Sequence, residues 1–448
     1  MTDKKPTYQD RLRSMLQEGI VVPNLLTYFR GSVVCFDTKG DLYATCGRRR
    51  ARWQRVIRLA PFNNGRDTFN PLDTIRRDSP MLVDSARALA EALVVRAGSE
   101  PDPHWNDKAA QVICALLVLV LKYFEGEERS LNSVQEIASQ PELLVNAARR
   151  LCRTGGIPAR LGYQLMGLFD VEGALNKEGA GVLSTVARHL AFLDSELVEK
   201  STARSTFDPA CLLKPGTTLF LQIPPDQLEA QKGLLRCWIS ALVRTIGAAG
   251  DERAAEVLFL IDEASALGSL SALEEALVRG RSAGVRLLLA YQSDAQVKTA
   301  FKDKPTLLYD NCGTQVYLGP ASSIETAERV SKSLGDWTQM LEGYGENSSR
   351  SWNEWGNSSQ GPQNSRGSSF NYSVNGRPLL RPEELLSLSD DYLIAFQRGM
   401  PPILAKRIKY YQDAAFRASV TRCLMKAAGW GILLAAGAAR VWTWIYGY

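Results

Sequence analysis

The stretch VLFLIDEAS, Val257 to Ser265, sets two carboxylates, Asp262 and Glu263, at the end of an apolar run. Such a pair suits chemistry if the run is a buried strand. One carboxylate can hold the water shell of Mg²⁺ while its neighbour polarises an attacking water, as in P-loop nucleotide hydrolases. A strand that merely stops at an acidic turn has the same sequence, so the pair alone leaves both readings open. Downstream, Leu267, Leu270, Leu273 and Leu277 recur at helical spacing, and GRSAG leads into a second apolar run, Val285 to Ala290, that ends in Tyr291 and Gln292. In an open parallel sheet, ligands sit outside the carboxyl ends of the strands. Asp262, Glu263 and Gln292 are therefore expected to converge on one crevice, where Gln292 could orient water or sense a terminal phosphate.

Positioning these groups requires a parallel sheet covered by helices. Candidate strands are Ser32 to Phe36, Val56 to Leu59, Thr217 to Ile223, Val257 to Ile261, Val285 to Ala290 and Gln315 to Leu318. Several are continuous apolar runs, the pattern of strands buried on both faces. They alternate with helical patterns, so the fold class is α/β. Between His104 and Ser205 apolar residues recur only at helical spacing, which predicts an all-α lobe inserted into the α/β domain. Its apolar stretch Val112 to Leu121 is too short to span a bilayer and reads as a buried helix.

Composition bounds the rest. A chain of 448 residues, 45% hydrophobic and 23% charged, is globular and can bury two or three cores. Eight cysteines without a CxxC pair and only two histidines, His104 and His189, argue against a zinc site or a disulfide framework and point to a reducing compartment. The net charge of +5 is small, but residues 1–60 carry twelve Lys or Arg against five Asp or Glu. Much of that excess is the run Arg48, Arg49, Arg50, Arg52, Arg55 and Arg58, which could track a phosphate backbone, lie on an anionic membrane, or form a solvated face. No signal peptide opens the chain. At the other end, Ala427 to Tyr448 is near the length of a membrane span but contains Arg440, so a spanning, interfacial or buried terminal helix all fit. From Gly343 to Gly376 the composition turns to Ser, Asn and Gly, which predicts a mobile surface loop without a core of its own.

The string IDEASALGSLSALEEALVRGRSAGVRLLLAYQS, followed by YDNCGTQVYLGPASSIETAERVSKSLG, resembles the type IV secretion coupling proteins of the TraG/TraD-like group. Further matches are GIVVPNLLTYFRGSVVCFDTKGDLY, FNPLD, HWNDKAA, RPLLRPEELLSL and GMPPI, in order from about Gly19 to Asp413. The resemblance implies a RecA-like P-loop NTPase with an all-α domain, assembled as a homo-hexamer at the cytoplasmic face of the bacterial inner membrane. It implies ATP and Mg²⁺ as cofactors. It further implies delivery of relaxase-bound single-stranded DNA, or of effector proteins, to the channel components of the secretion system. On that basis Asp262 and Glu263 are the Walker B pair, with Asp262 holding Mg²⁺ through water, and Gln292 is the sensor. Arg281 is a candidate arginine finger for a neighbouring subunit, or else a helix-end arginine capping carbonyls. The implied organisation is a truncated NTPase start at 1–103, the all-α domain at 104–205, the NTPase core at 206–342, the loop at 343–376, a return to the NTPase domain at 377–413 and an apolar tail at 414–448.

One departure bears on activity. A P-loop needs GxxxxGK[ST], and the 448 residues contain no Gly-Lys dipeptide. In the family the loop lies just before the segment that reads GIVVPNLL here, where this chain has MTDKKPTYQDRLRSMLQE. The expectation is an amino-terminally truncated family member, with its first strand and P-loop missing and its sheet either gapped or patched by a substitute strand. Hydrolysis by this chain alone is not expected. A truncated product, a separate polypeptide that carries the P-loop, and a substrate-docking subunit without turnover all remain open.

Overall fold

The structure, a computed structural model, describes residues 8–96, 102–250, 254–301, 304–351, 363–413 and 416. These fall into two compact units, one of residues up to 315 together with those from 405 onward, the other of 316–404. The first unit is built on a five-stranded parallel sheet: β1 (Ser32–Phe36), β2 (Arg55–Leu59), β3 (Thr217–Leu221), β4 (Val257–Ile261) and β5 (Val285–Leu289), in the order β2-β3-β1-β4-β5. All five are runs anticipated from the sequence. Burial follows rank in the sheet: every residue of β1, β3 and β4 is buried, whereas β2 and β5 are partly exposed at the edges.

Successive side chains of a strand point to opposite faces, so each central strand feeds two cores. Val34 and Phe36 of β1, Leu219 and Leu221 of β3, and Phe259 and Ile261 of β4 join the larger core, which continues into the helical lobe and includes Trp238. Val33, Cys35, Phe220, Leu258 and Leu260 join a smaller core with Val22 and Leu25, under the helix Val22–Thr27. Burying a Phe or Leu on either face contributes roughly 1.5–3 kcal/mol, which is why the two-sided strands form the centre.

Between His104 and Thr202 the described elements are helical, with one isolated bridge, Phe169 to Leu175. The helix His104–Tyr123 is long and apolar enough to cross a membrane, but 72% of its apolar window is buried inside the protein, which makes it the central helix of the lobe. The second unit has a three-stranded sheet of order β10-β9-β6, formed by β6 (Thr314–Leu318), β9 (Tyr392–Gln397) and β10 (Ile403–Lys406), and a core of Ala327, Val330, Leu385 and Ile394.

Three expectations need correction. The sheet has no gap among β1 to β5; it ends at β5, and no described strand pairs the outer edge of β5. Residues 377–404 do not return to the large sheet but belong to the second unit, together with 316–342. Where a loop was expected over 343–376, β7 (Asp336–Ser351) and β8 (Gln363–Pro378) form an antiparallel ribbon, registered from Asp336 opposite Pro378 to Ser351 opposite Gln363. A two-stranded ladder pairs the inward-facing half of each strand's backbone N–H and C=O groups and leaves the outward half to water, so low hydrophobicity did not preclude it. The apolar tail at 427–448 lies outside the described residues.

Candidate functional site

The parallel register carries the ends of adjacent strands to the same level. Phe36 pairs with Ile261 and Ile261 with Leu289, so the residues that follow them stand side by side at the carboxyl edge. Glu263 and Gln292 meet there: Gln292 donates from Nε2 to Glu263 Oε2 at 3.0 Å, and Ser265 Oγ donates to Glu263 Oε1 at 2.5 Å. Gln292 is itself fixed, since its backbone N–H donates to Gln296 Oε1 at 2.8 Å. Asp262 is next in sequence, with its side chain fully buried. The three residues singled out from the sequence are therefore neighbours at one sheet edge.

That edge holds more than those three. Asp37, the first residue after β1, is buried and accepts from the backbone N–H groups of Gly40 and Tyr43 and from Gln222 Nε2, each at 2.9 Å. Gln222, the first residue after β3, accepts at 2.7 Å from Nε of Arg58 on β2. A polar row thus crosses the sheet from Arg58 through Gln222 and Asp37 to Asp262, Glu263 and Gln292. Asp37 and Gln222 went unnoticed in the sequence, although each carried the same signal as Asp262: a polar residue directly after a buried apolar strand.

Two further residues were invisible to sequence reasoning. The helix Tyr8–Leu16 runs into a π-helical turn, Gln17–Val21, and the pair brings Arg13 and Gln17 onto Asp262. Gln17 Nε2 donates to Asp262 Oδ2 at 2.8 Å, and Arg13 Nη2 stands 3.4 Å from the same oxygen while also donating to Thr38 Oγ1. Asp262 Oδ1 is buried without a hydrogen-bond partner, as is Arg13 Nε. Burial pushes the Asp262 carboxyl above its ordinary value; Gln17 and Arg13 pull it back, and the charges of Glu263 and Asp37 push it up again. The Asp37 carboxyl is likewise raised, first by burial and against its hydrogen bonds. A cavity of about 320 Å³ is lined by Arg13, Gln17, Glu18, Lys39, Asp41 and Tyr410, among others.

The other candidates separate from this cluster. Arg281 is exposed in the last turn of the helix Ser271–Ala283, just before Gly284 and β5. That helix returns from the carboxyl edge to the amino edge of the sheet. Arg281 therefore lies a five-residue strand, about 16 Å at ~3.3 Å per residue, from Asp262 in its own chain. In the arginine run, Arg48, Arg49, Arg52 and Arg55 are exposed, but Arg50 is fully buried. Arg50 Nε donates to Thr218 Oγ1 at 2.6 Å, Nη1 to the Leu25 carbonyl, and Nη2 to Gln54 Oε1 and, at 3.2 Å, to the Tyr28 carbonyl. Burial lowers its pKa to about 10. Arg50 is a structural residue and leaves the set that could touch phosphates, because its donors are spent inside the protein.

A Mg²⁺-nucleotide does not fit this arrangement. The Asp262 side chain is fully buried, and its Oδ2 already meets a guanidinium and an amide. Residues 8–18 are helical, and it is the side chains of Arg13 and Gln17, not glycine N–H groups, that meet the carboxylate.

Known proteins resemble the chain along nearly its whole length. It is 26% identical over 427 residues to VirD4 of Rhizobium radiobacter, covering 89% of this chain and 56% of that protein. It is 27% identical over 433 residues to the conjugal transfer protein TraG of Escherichia coli, covering 89% and 66% respectively. The chain therefore spans less than two thirds of the length of these curated relatives. Among solved structures, the bacterial conjugative coupling protein TrwB in its unbound form superposes with a TM-score of 0.61 at 19% identity, covering 88% of this chain and 81% of that one. TrwB solved in complex with ADP and Mg²⁺ gives a TM-score of 0.60 at the same identity, covering 89% and 83%. The fold is thus the RecA-like α/β architecture with a helical domain. The family model for type IV secretory system conjugative DNA transfer matches residues 13–429, and the chain belongs to that family.

Proposed function

We propose that this chain is the cytoplasmic part of a coupling protein, a component of a conjugative type IV secretion system at the inner face of the bacterial inner membrane. In this reading it delivers relaxase-bound single-stranded DNA, or effector proteins, to the secretion channel. The observation that carries the reading is the hydrogen-bonded pair of Glu263 and Gln292 beside Asp262 at the carboxyl edge of a parallel sheet, in a chain of this family. Glu263 would polarise water and Gln292 would hold and orient it, while Asp262, covered by Arg13 and Gln17, would face a cation only in another arrangement of this site. Arg281, at the opposite edge of the sheet, would act only on an adjacent copy in a ring. The exposed Arg48, Arg49, Arg52 and Arg55 would meet the DNA backbone.

A second reading, docking of substrate without nucleotide turnover, is favoured by the contacts of Arg13 and Gln17 on Asp262. Hydrolysis would then need another arrangement of this site or a P-loop supplied by a separate polypeptide. One assay separates the two readings: ATP turnover by the purified chain, with and without single-stranded DNA. No turnover is expected from the chain alone, and turnover abolished by Glu263→Gln would establish the motor reading for this chain itself. DNA binding is expected to weaken steeply with salt, and a flat salt response would remove the arginine run from the interface.

A further inference from the structure

We propose that the stretch 417–448 and the arginine face from which it departs bind together to the surface of an anionic lipid bilayer. The inference goes beyond the transport reading and stands whether or not the chain handles DNA.

The described residues fix where this stretch begins. Phe416 packs, with Tyr410, against the smaller core, and its carbonyl accepts from Arg49 Nη1 at 3.2 Å. Its N–H donates to the Asp413 carbonyl at 3.2 Å, so the backbone is held on both sides of this residue. The chain therefore leaves the fold at the face that carries Arg48, Arg49, Arg52 and Arg55, all of them exposed. Arg50, the buried arginine of the same turn, ties that turn to Thr218 of β3, so its neighbours are displayed from a fixed base. Trp53 stands among these arginines with 43% of its surface exposed. An indole interleaved with guanidiniums suits a bilayer interface, where the ring sits at headgroup level and the charges meet lipid phosphates.

The sequence after Phe416 supplies the other half. From 417 to 448 it has four basic residues, Arg417, Arg422, Lys426 and Arg440, and no acidic one. Between Lys426 and Arg440 thirteen residues, 427–439, carry no charge, and 441–448 adds Trp442, Trp444, Tyr446 and Tyr448. Thirteen residues fall short of the roughly 20 that cross a bilayer, and drawing Arg440 into the hydrocarbon to lengthen the run opposes insertion. Binding in the interface avoids that conflict: Ile432, Leu433 and Leu434 enter the boundary between headgroups and acyl chains, while Arg440 and the aromatic residues stay at headgroup level. One short apolar segment holds a bilayer weakly and reversibly, and a basic patch beside it is the second signal that makes attachment stable. A DNA backbone would need the arginines alone. The uncharged stretch next to them is what selects a bilayer.

The test is flotation of the full chain with vesicles of phosphatidylglycerol and phosphatidylethanolamine in equal parts, against vesicles of phosphatidylcholine alone. The chain is expected to float with the anionic vesicles and to bind the neutral ones more weakly. R52A/R55A should lower binding to the anionic vesicles by about fivefold for each charge removed and leave binding to the neutral ones unchanged. L433E/L434E should lower both by at least about tenfold, and W442A/W444A should act in the same direction. A wild type that floats with neither kind of vesicle, or an L433E/L434E variant that floats as the wild type does, overturns the proposal. Complete release of the vesicle-bound wild type by single-stranded DNA also overturns it, since the arginines would then be the whole attachment. Urea midpoints of the same variants are expected to match the wild type; a midpoint lowered together with flotation overturns the proposal in favour of a tail packed within the fold. DNA binding measured without vesicles bears only on the transport reading, so the two failures are distinguishable.

Discussion

Replacing Arg236 with Ala should be among the most damaging single changes in the first unit. Arg236 lies on the helix Lys232–Ala248, is 2% exposed, and donates only to backbone carbonyls. Its Nε reaches Ala92 O at 2.9 Å, its Nη1 reaches Leu267 O and Ser269 O, each at 2.6 Å, and its Nη2 reaches Val94 O at 3.5 Å. Ala92 is in the last turn of the helix Leu82–Leu93, while Leu267 and Ser269 follow directly on the acidic pair. The one side chain thus ties the site loop to the neighbouring helix end. The three short hydrogen bonds to this charged donor are worth roughly 1.5–3 kcal/mol each, and the long one to Val94 O adds little. Against them, a guanidinium held at about 10 where 12.5 is ordinary reflects a burial cost of about 3 kcal/mol. The net loss in Arg236→Ala is about 4 kcal/mol, because buried carbonyls are left without their donor. Urea denaturation, followed by hydrogen exchange in Lys232–Ala248, measures it. Arg236→Lys, which keeps the charge but not the fork, should fall between the two. A loss below about 1 kcal/mol for the alanine variant would refute the reasoning, because it would mean that the three carbonyls find other partners.

Other outcomes follow from the same structure. The carboxyls of Asp262 and Asp37 are both raised by burial above 3.8, so over the window just above that value the folded chain binds more protons than the unfolded one. Their contribution to stability is therefore largest at the acid end of the window and declines as pH rises through it. Asp262→Asn should flatten the decline, as read from urea midpoints of wild type and variant between pH 4 and 7. Gly31→Ala places a Cβ 2.0 Å from the Glu256 carbonyl oxygen, a backbone atom beside the start of β1, and should cost about 1–3 kcal/mol in a thermal or urea melt. Arg50→Met leaves the Leu25 and Tyr28 carbonyls without this donor and should lower stability by about 1–3 kcal/mol, while the salt dependence of the proposed DNA binding stays unchanged. At the proposed DNA interface Arg52→Ala should do the reverse, reducing the salt slope by about one with little effect on stability.

The fold class, the central strands and the meeting of Asp262, Glu263 and Gln292 were legible in the sequence, because each rests on local patterning. An apolar run buried on both faces needs no distant information to declare itself a strand, and parallel register then carries the ends of adjacent strands to one edge. Asp37 and Gln222 were legible by the same rule. Tertiary structure alone decided what touches those carboxylates. Arg13 and Gln17 lie on an ordinary amphipathic segment, and nothing in their own neighbourhood marks them as partners of a residue 245 positions beyond Gln17. Arg50 and Arg52 are two residues apart in one run of like charge, yet one is buried among carbonyls and the other is exposed. That division depends on which side of a single helical turn packs against β3, and a charge pattern read along the chain does not contain it. The Ser- and Asn-rich ribbon of β7 and β8 makes the same point, since its order comes from one strand's backbone pairing with another's and not from side chains that a composition could reveal.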